Sequence, residues 1–165
     1  MIEVYTGARL FDGERMIEDN SLVCEEGRIV AIAPHAQRPS GGRQRDLGGG
    51  VLAPGLIDWQ VNGGGGVLFN ETPDVDGIAA IVAAHRRFGT TSLLPTLITD
   101  APEILRAGLA AAREAQGRVA GAIGIHVEGP FIDPRRKGAH PAQFIRSMRD
   151  ADAQALIPAS DSCAI

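Results

Sequence analysis

Hydrophobic and polar positions along this chain follow two different rhythms. Up to about residue 50 the apolar residues come in short runs. "IEVYTGARLFDGE" alternates and contains an Asp-Gly turn signal, and "SLVCEEGRIVAIAP" holds two β-prone runs, Leu22–Cys24 and Ile29–Ile32, divided by Glu25, Glu26 and Gly27. That pattern predicts a hairpin in a small sheet. The following "PHAQRPSGGRQRDLGGG" collects Pro, Ser, Gly and charge with no apolar period, which marks a loop or a boundary.

From "VLAPGLIDWQVNGGGG" onward the rhythm becomes strand, helix, strand, helix, strand. Leu56 to Val61 is a compact apolar run. Thr72, Pro73 and Asp74 supply an N-cap, a first-position proline and first-turn acids for a helix. Within it Ile78, Ile81, Val82, His85 and Phe88 recur at offsets of three and four and give one apolar face, with Gly89 as the stop. "TTSLLPTLI" is the next strand, with Pro95 placed at a strand end or a bulge. Asp100 and Glu103 form a capping-box-like start for an Ala-rich helix through Gln116, and "VAGAIGIHVE" is the third strand.

Alternating βα units imply a mainly parallel sheet with helices packed outside it. Ligands of such sheets bind at the carboxyl ends of the strands, in open sheets and closed barrels alike. Polar residues fall at those ends here: Asp58, Gln60 and Asn62 on the first strand, Thr96 and Thr99 on the second, His126 and Glu128 on the third.

Composition narrows the class of protein. The chain has 165 residues, 44% hydrophobic and 22% charged, enough for a buried core. Its formal charge of -4 and scattered basic residues give no nucleic-acid or anionic-membrane footprint, so a small-molecule partner is expected. The start shows no secretory leader pattern, and no long uninterrupted apolar stretch follows, so the reading is a soluble, cytoplasmic protein. Cys24 and Cys163 stand far apart with no Cys-x-x-Cys pairing, and both read as buried or idle thiols.

Side chains two apart on a strand share a face, so Gln60 with Asn62, and His126 with Glu128, can converge on one cavity if their strands are neighbours. Taken alone, His-x-Glu at a strand end is not specific to metal. Glu128 follows an apolar run and precedes Gly129-Pro130, a sharp turn, and a carboxylate so placed needs a cation or hydrogen-bond donors. His126 reads as a hydrogen-bonded histidine one layer deeper, His85 as packing, and His35 as a linker residue without assigned chemistry. The glycines of "NGGGGV" lack both the Walker and the dinucleotide spacing, and are expected to let the backbone turn sharply beside a pocket. "DPRRKGAH" offers Arg135, Arg136 and Lys137 either as an anion clamp or as a solvated charge run.

The segments "APGLIDWQVNGGGGVLFN", "GTTSLLPTLIT" and "GIHVEGPFIDPRRKGAH", in this order and spacing, resemble the N-terminal part of N-acetylglucosamine-6-phosphate deacetylases of the amidohydrolase superfamily. The resemblance implies a small N-terminal β-sheet over residues 1–50 and, over 51–165, about three βα units of a TIM-like (β/α)8 metal-dependent hydrolase barrel. It implies one divalent metal ion, with zinc expected, and Glu128 as its ligand. Gln60-Val61-Asn62 occupies the place of the His-x-His of many amidohydrolases; Gln60 then touches the metal or its water, with Asn62 and His126 in support. Ala139 and His140 match residues that contact the sugar. The implied reaction is hydrolysis of the acetamide of N-acetylglucosamine 6-phosphate to glucosamine 6-phosphate and acetate, by a homodimeric full-length enzyme. A deacetylase for the galactosamine epimer, and a non-catalytic α/β module pairing with another chain, are the alternatives.

A complete barrel of this kind has eight strand–helix units in about 250 residues. The family's further histidine ligands and catalytic aspartate have no counterpart in these 165 residues, so the chain reads as a fragment, inactive by itself.

Overall fold

A computed structural model describes residues 1–160, except for the side chains of 158–160. Cys163 lies outside the described residues, and Cys24 is a half-buried free thiol. The chain divides into two compact units, the first Met1–Pro54 and the second from Gly55 onward.

The first unit is all β. It comprises β1 (Ile2–Thr6), β2 (Arg9–Phe11), β3 (Met16–Ile17), β4 (Asn20–Glu25), β5 (Arg28–Pro34), β6 (Arg43–Asp46) and β7 (Val51–Leu52). Four strands form a sheet in the order β5-β4-β1-β6, and a smaller sheet runs β3-β2-β7. The expected hairpin is β4–β5, antiparallel, and its turn places Glu26 at φ 50 and Gly27 at φ 75, the left-handed pair that matches the twist of the strands. Alternation along β4 turns Ser21 and Val23 inward beside buried Val4 and Leu10. Buried Ser21 needs a partner, and its hydroxyl meets His35 Nδ1 at 2.7 Å. The linker histidine therefore has a structural task.

The second unit carries β8 (Leu56–Val61), β9 (Gly63–Gly64), β10 (Val67–Leu68), α1 (Val75–Arg86), β11 (Thr90–Ile98), α2 (Pro102–Ala115), β12 (His126–Glu128) and α3 (Asp150–Ser160). Strands β8, β11 and β12 are parallel and lie in the order β12-β11-β8. Helices α1 and α2 connect them, and Ile78, Ile81, Leu93, Leu97, Leu109 and Ile125 pack into one apolar cluster. The glycine-rich segment folds as the small antiparallel pair β9–β10. Pro95 sits at a register irregularity between β11 and β8, as a residue without a backbone donor requires.

Four expectations are corrected. The N-cap of α1 is Asp74, whose carboxylate accepts from Gly77 N at 2.8 Å, and Thr72 lies before the helix. Phe88 lies past the end of α1 and is 82% exposed, because the helical period that placed it inward stops at Arg86. Asp100 does not cap α2: its side chain takes Ala101 N and the Asn70 amide, and the helix begins at Pro102 with no side-chain cap. The third strand is three residues long, and the residues before it make isolated bridges, Ala122 pairing in parallel with Leu93.

Among the described residues no helix is long and apolar enough to cross a membrane.

Candidate functional site

The parallel sheet brings the carboxyl ends of β8 and β12 within side-chain reach across β11. Thr96 pairs with His126 and Ile98 with Glu128, so the last residues of β11 and β12 run level. Gln60, one residue before the end of β8, donates from Nε2 to Glu128 Oε2 at 3.1 Å. The other carboxylate oxygen, Oε1, lies 3.4 Å from His140 Nε2. Glu128 keeps about a third of its side chain exposed, 36%, against 10% for His140. Two donors thus fix a carboxylate that still faces solvent.

His140 reaches this position from the loop after β12. Its ring is buried, and its Nδ1 lies 2.7 Å from Thr99 Oγ1 and accepts from Thr99 N at 3.4 Å. A backbone N–H can only donate, so Nδ1 is the accepting nitrogen and the proton sits on Nε2, facing the carboxylate. Both ends of the ring then agree. Gly129, at φ 89, leaves room for this contact, since a Cβ there would stand 2.1 Å from Thr99 Oγ1. The Gly129–Pro130 peptide is cis.

His126 is half-buried and its Nδ1 lies 3.3 Å from Thr96 Oγ1, a contact within the sheet. Asn62 is exposed just past β8, with its backbone carbonyl accepting from Phe69 N. Ala139 is exposed beside buried His140. Arg135 is engaged by Asp133 at 2.9 Å, and Lys137 Nζ donates to the carbonyl of Gly138, so two members of the basic run already have partners on their own loop. His85 lies 3.0 Å from the Gly63 carbonyl through Nε2, tying α1 to β9.

Three residues matter here that sequence reasoning underused or passed over. Thr99 stands near a strand end, yet its bond to a residue 41 positions away has no local signal. Asn70 clamps the end of β11, accepting from Ile98 N at 3.0 Å and donating to the Ile98 carbonyl and to Asp100. Arg146 holds the far side of the loop: it binds Asp152 through both terminal guanidinium nitrogens at 2.5 and 2.6 Å and stacks over the Phe131 ring. The Arg146 guanidinium holds the Asp152 carboxyl down to about 2, with the Arg149 backbone N–H adding to the effect.

As a metal centre the arrangement fits one arm of a site. Glu128 offers a hard anionic oxygen of the kind a divalent cation takes, with Gln60 beside it. No three His, Cys, Asp or Glu side chains come together to hold an ion among the described residues.

No protein-family model matches the chain. It is similar to the N-acetylglucosamine-6-phosphate deacetylase of Mus musculus, 40% identical over 139 residues, covering 82% of this chain and 31% of that protein. It is also similar to the N-acetylgalactosamine-6-phosphate deacetylase of Shewanella sp. (strain ANA-3), 44% identical over 107 residues, covering 64% of this chain and 27% of that protein. Among solved structures, the N-acetylglucosamine-6-phosphate deacetylase of Pasteurella multocida superposes with a TM-score of 0.93 at 30% identity, over 99% of this chain and 43% of its own. The chain spans less than half the length of each. Its curated relatives and structural neighbours are thus N-acetylglucosamine-6-phosphate deacetylases, with galactosamine counterparts among them, and the likeness covers most of its length.

Proposed function

We propose that the chain supplies one side of the active site of a metal-dependent deacetylase that hydrolyses N-acetylglucosamine 6-phosphate to glucosamine 6-phosphate and acetate. The observation that carries this reading is the cluster Gln60–Glu128–His140 at the carboxyl ends of parallel strands, where an α/β hydrolase binds its ligand. In this reading the three parallel strands are the first part of a (β/α)8 barrel. Glu128 is one ligand of a divalent ion, expected to be zinc, and its further ligands come from outside the described residues. The ion when bound supplies Lewis acidity to a water and to the amide carbonyl.

This chain's own residues prepare that chemistry. Gln60 and His140 each donate to one oxygen of Glu128, which fixes its orientation and leaves its remaining lone pairs facing the cavity. Gln60 also lies where it can touch the ion or its water. Ala139, exposed next to His140, and the Nε2 edge of His140 form the sugar-contacting end, with Asn62 and His126 in support. The full-length protein is proposed as a cytoplasmic homodimer.

A second reading, the galactosamine epimer as substrate, is favoured by the Shewanella relative. Acetate release from both epimers by the full product of the encoding gene tests the two together. Glu128→Ala is expected to lose bound metal and at least about a hundredfold in rate, and the 165-residue chain alone is expected to give no turnover. A fully active Glu128→Ala enzyme with its metal retained would reject the assignment.

A further inference from the structure

We infer that Thr99 is a positioning residue for this site: with its hydroxyl and its backbone N–H both directed at Nδ1 of His140, it fixes the ring as the Nε2–H tautomer and aims that proton at Glu128. The inference rests on the proposed deacetylase reading for its kinetic consequence, but not for its structural content.

The geometry leaves little freedom. Thr99 is 1% exposed and follows directly on β11, whose end is pinned by the Asn70 amide to both backbone groups of Ile98. The hydroxyl is therefore delivered by the residue directly after a pinned strand end. It meets Nδ1 at 2.7 Å, and the backbone N–H of the same residue points at the same nitrogen from 3.4 Å. With the proton on Nδ1, that backbone N–H would face another N–H, and Nε2 would turn a lone pair toward a carboxylate. Both conflicts vanish in the Nε2–H form, where Nδ1 accepts and Nε2 donates. The absence of a side chain at Gly129 completes the pocket, because a methyl there would occupy the place of the hydroxyl.

Removing the hydroxyl leaves a buried imidazole with only the longer backbone contact at Nδ1. The backbone N–H and the Glu128 carboxylate still hold the proton on Nε2, but the ring loses its short bond and with it its alignment toward Glu128 and the substrate. Serine restores the hydroxyl; valine keeps the shape without it.

The test uses the full gene product labelled with 15N-histidine and stripped of metal. Wild type, Thr99→Ser and Thr99→Val are all expected to show His140 protonated at Nε2, with Thr99→Val alone shifting the Nδ1 resonance toward the value of an unbonded imidazole nitrogen. In the metal-loaded enzyme, Thr99→Val is expected to lower kcat/KM about tenfold or more, with Thr99→Ser close to wild type. Should valine fail to fold, Thr99→Ala removes the hydroxyl without added bulk and is read in the same way. A valine or alanine variant whose Nδ1 resonance and kcat/KM match wild type overturns the inference, and so does a serine variant as impaired as valine. If the wild-type product releases no acetate from either epimer, the deacetylase reading fails while the ring spectra still decide the role of Thr99.

Discussion

Gln60 Nε2 and Glu128 Oε2 meet at 3.1 Å although 68 residues separate them in the chain, and the strand between theirs, β11, belongs to neither. An amide donor on one outer strand orients a carboxylate on the other. Gln60→Ala is therefore expected to leave the fold intact and weaken metal binding by the full gene product about tenfold, as loss of a ligand's hydrogen-bond partner does. Competition against a chromophoric chelator measures it, and unchanged affinity would mean that Glu128 orients itself.

Gly129→Ala tests the packing beneath the site. The added methyl meets the Thr99 hydroxyl, and the left-handed φ of 89 adds backbone strain. Together these should cost about 2 kcal/mol or more. Thermal or urea denaturation reads the loss, and a variant as stable as wild type would show that the turn can open without penalty.

The Arg146–Asp152 pair gives a pH dependence with a defined sign. Folding lowers the Asp152 carboxyl from 3.8 to about 2, so the folded state holds that proton less tightly than the unfolded chain does. The contribution is present in full above the unfolded value and disappears as pH falls through the folded one. Wild type should thus exceed Asp152→Asn in denaturation midpoint at neutral pH, by a margin constant down to about pH 4 and shrinking toward pH 2. A margin that does not change with acid would argue against the pair as its source.

Strand β8 is an outer strand of its sheet, and Leu56, Ile57 and Trp59 on it are each more than half exposed, Trp59 at 76%. An apolar edge of this kind invites pairing with another chain. The 165-residue polypeptide is expected to self-associate with rising concentration, and Trp59→Lys to reduce that association, as followed by light scattering. Equal scattering from both would place the sticky surface elsewhere.

Local chemistry made much of this fold readable. Leu56–Val61 emerges as a strand with the bounds its apolar run suggested, the Glu26-Gly27 turn closes its hairpin, and Pro95 falls at a register break because a residue without N–H cannot serve a regular ladder. The errors arose where two local signals competed for one residue. Thr72 and Asp74 are both good caps, and only Asp74 has the spacing to reach Gly77 N; Asp100 has a capping-box partner in Glu103 but is drawn instead to Asn70, 30 residues earlier. Phe88 continues the helical period two residues past the end of α1.

The site itself was half visible. Strand-end positions singled out Gln60 and Glu128, and the family resemblance singled out His140. What joins them was not visible: Thr99 and His140 are neighbours only because β11 and the loop after β12 converge, and no periodicity of the chain encodes a contact over 41 residues. Long-range pairs of this kind follow from sheet order, which short patterns do not state.

The unbroken ladder between β11 and β12 carries a consequence for insertions and deletions. Thr96 pairs with His126, Leu97 with Val127 and Ile98 with Glu128 without a break, so the side of β11 that faces the loop at Thr99 follows from that register. Losing or gaining one residue between Pro95 and Thr99 would present the opposite side of the strand to the loop, and the imidazole would find a carbonyl or an aliphatic group where a hydroxyl had been. That short stretch should tolerate substitution far better than any change in its length.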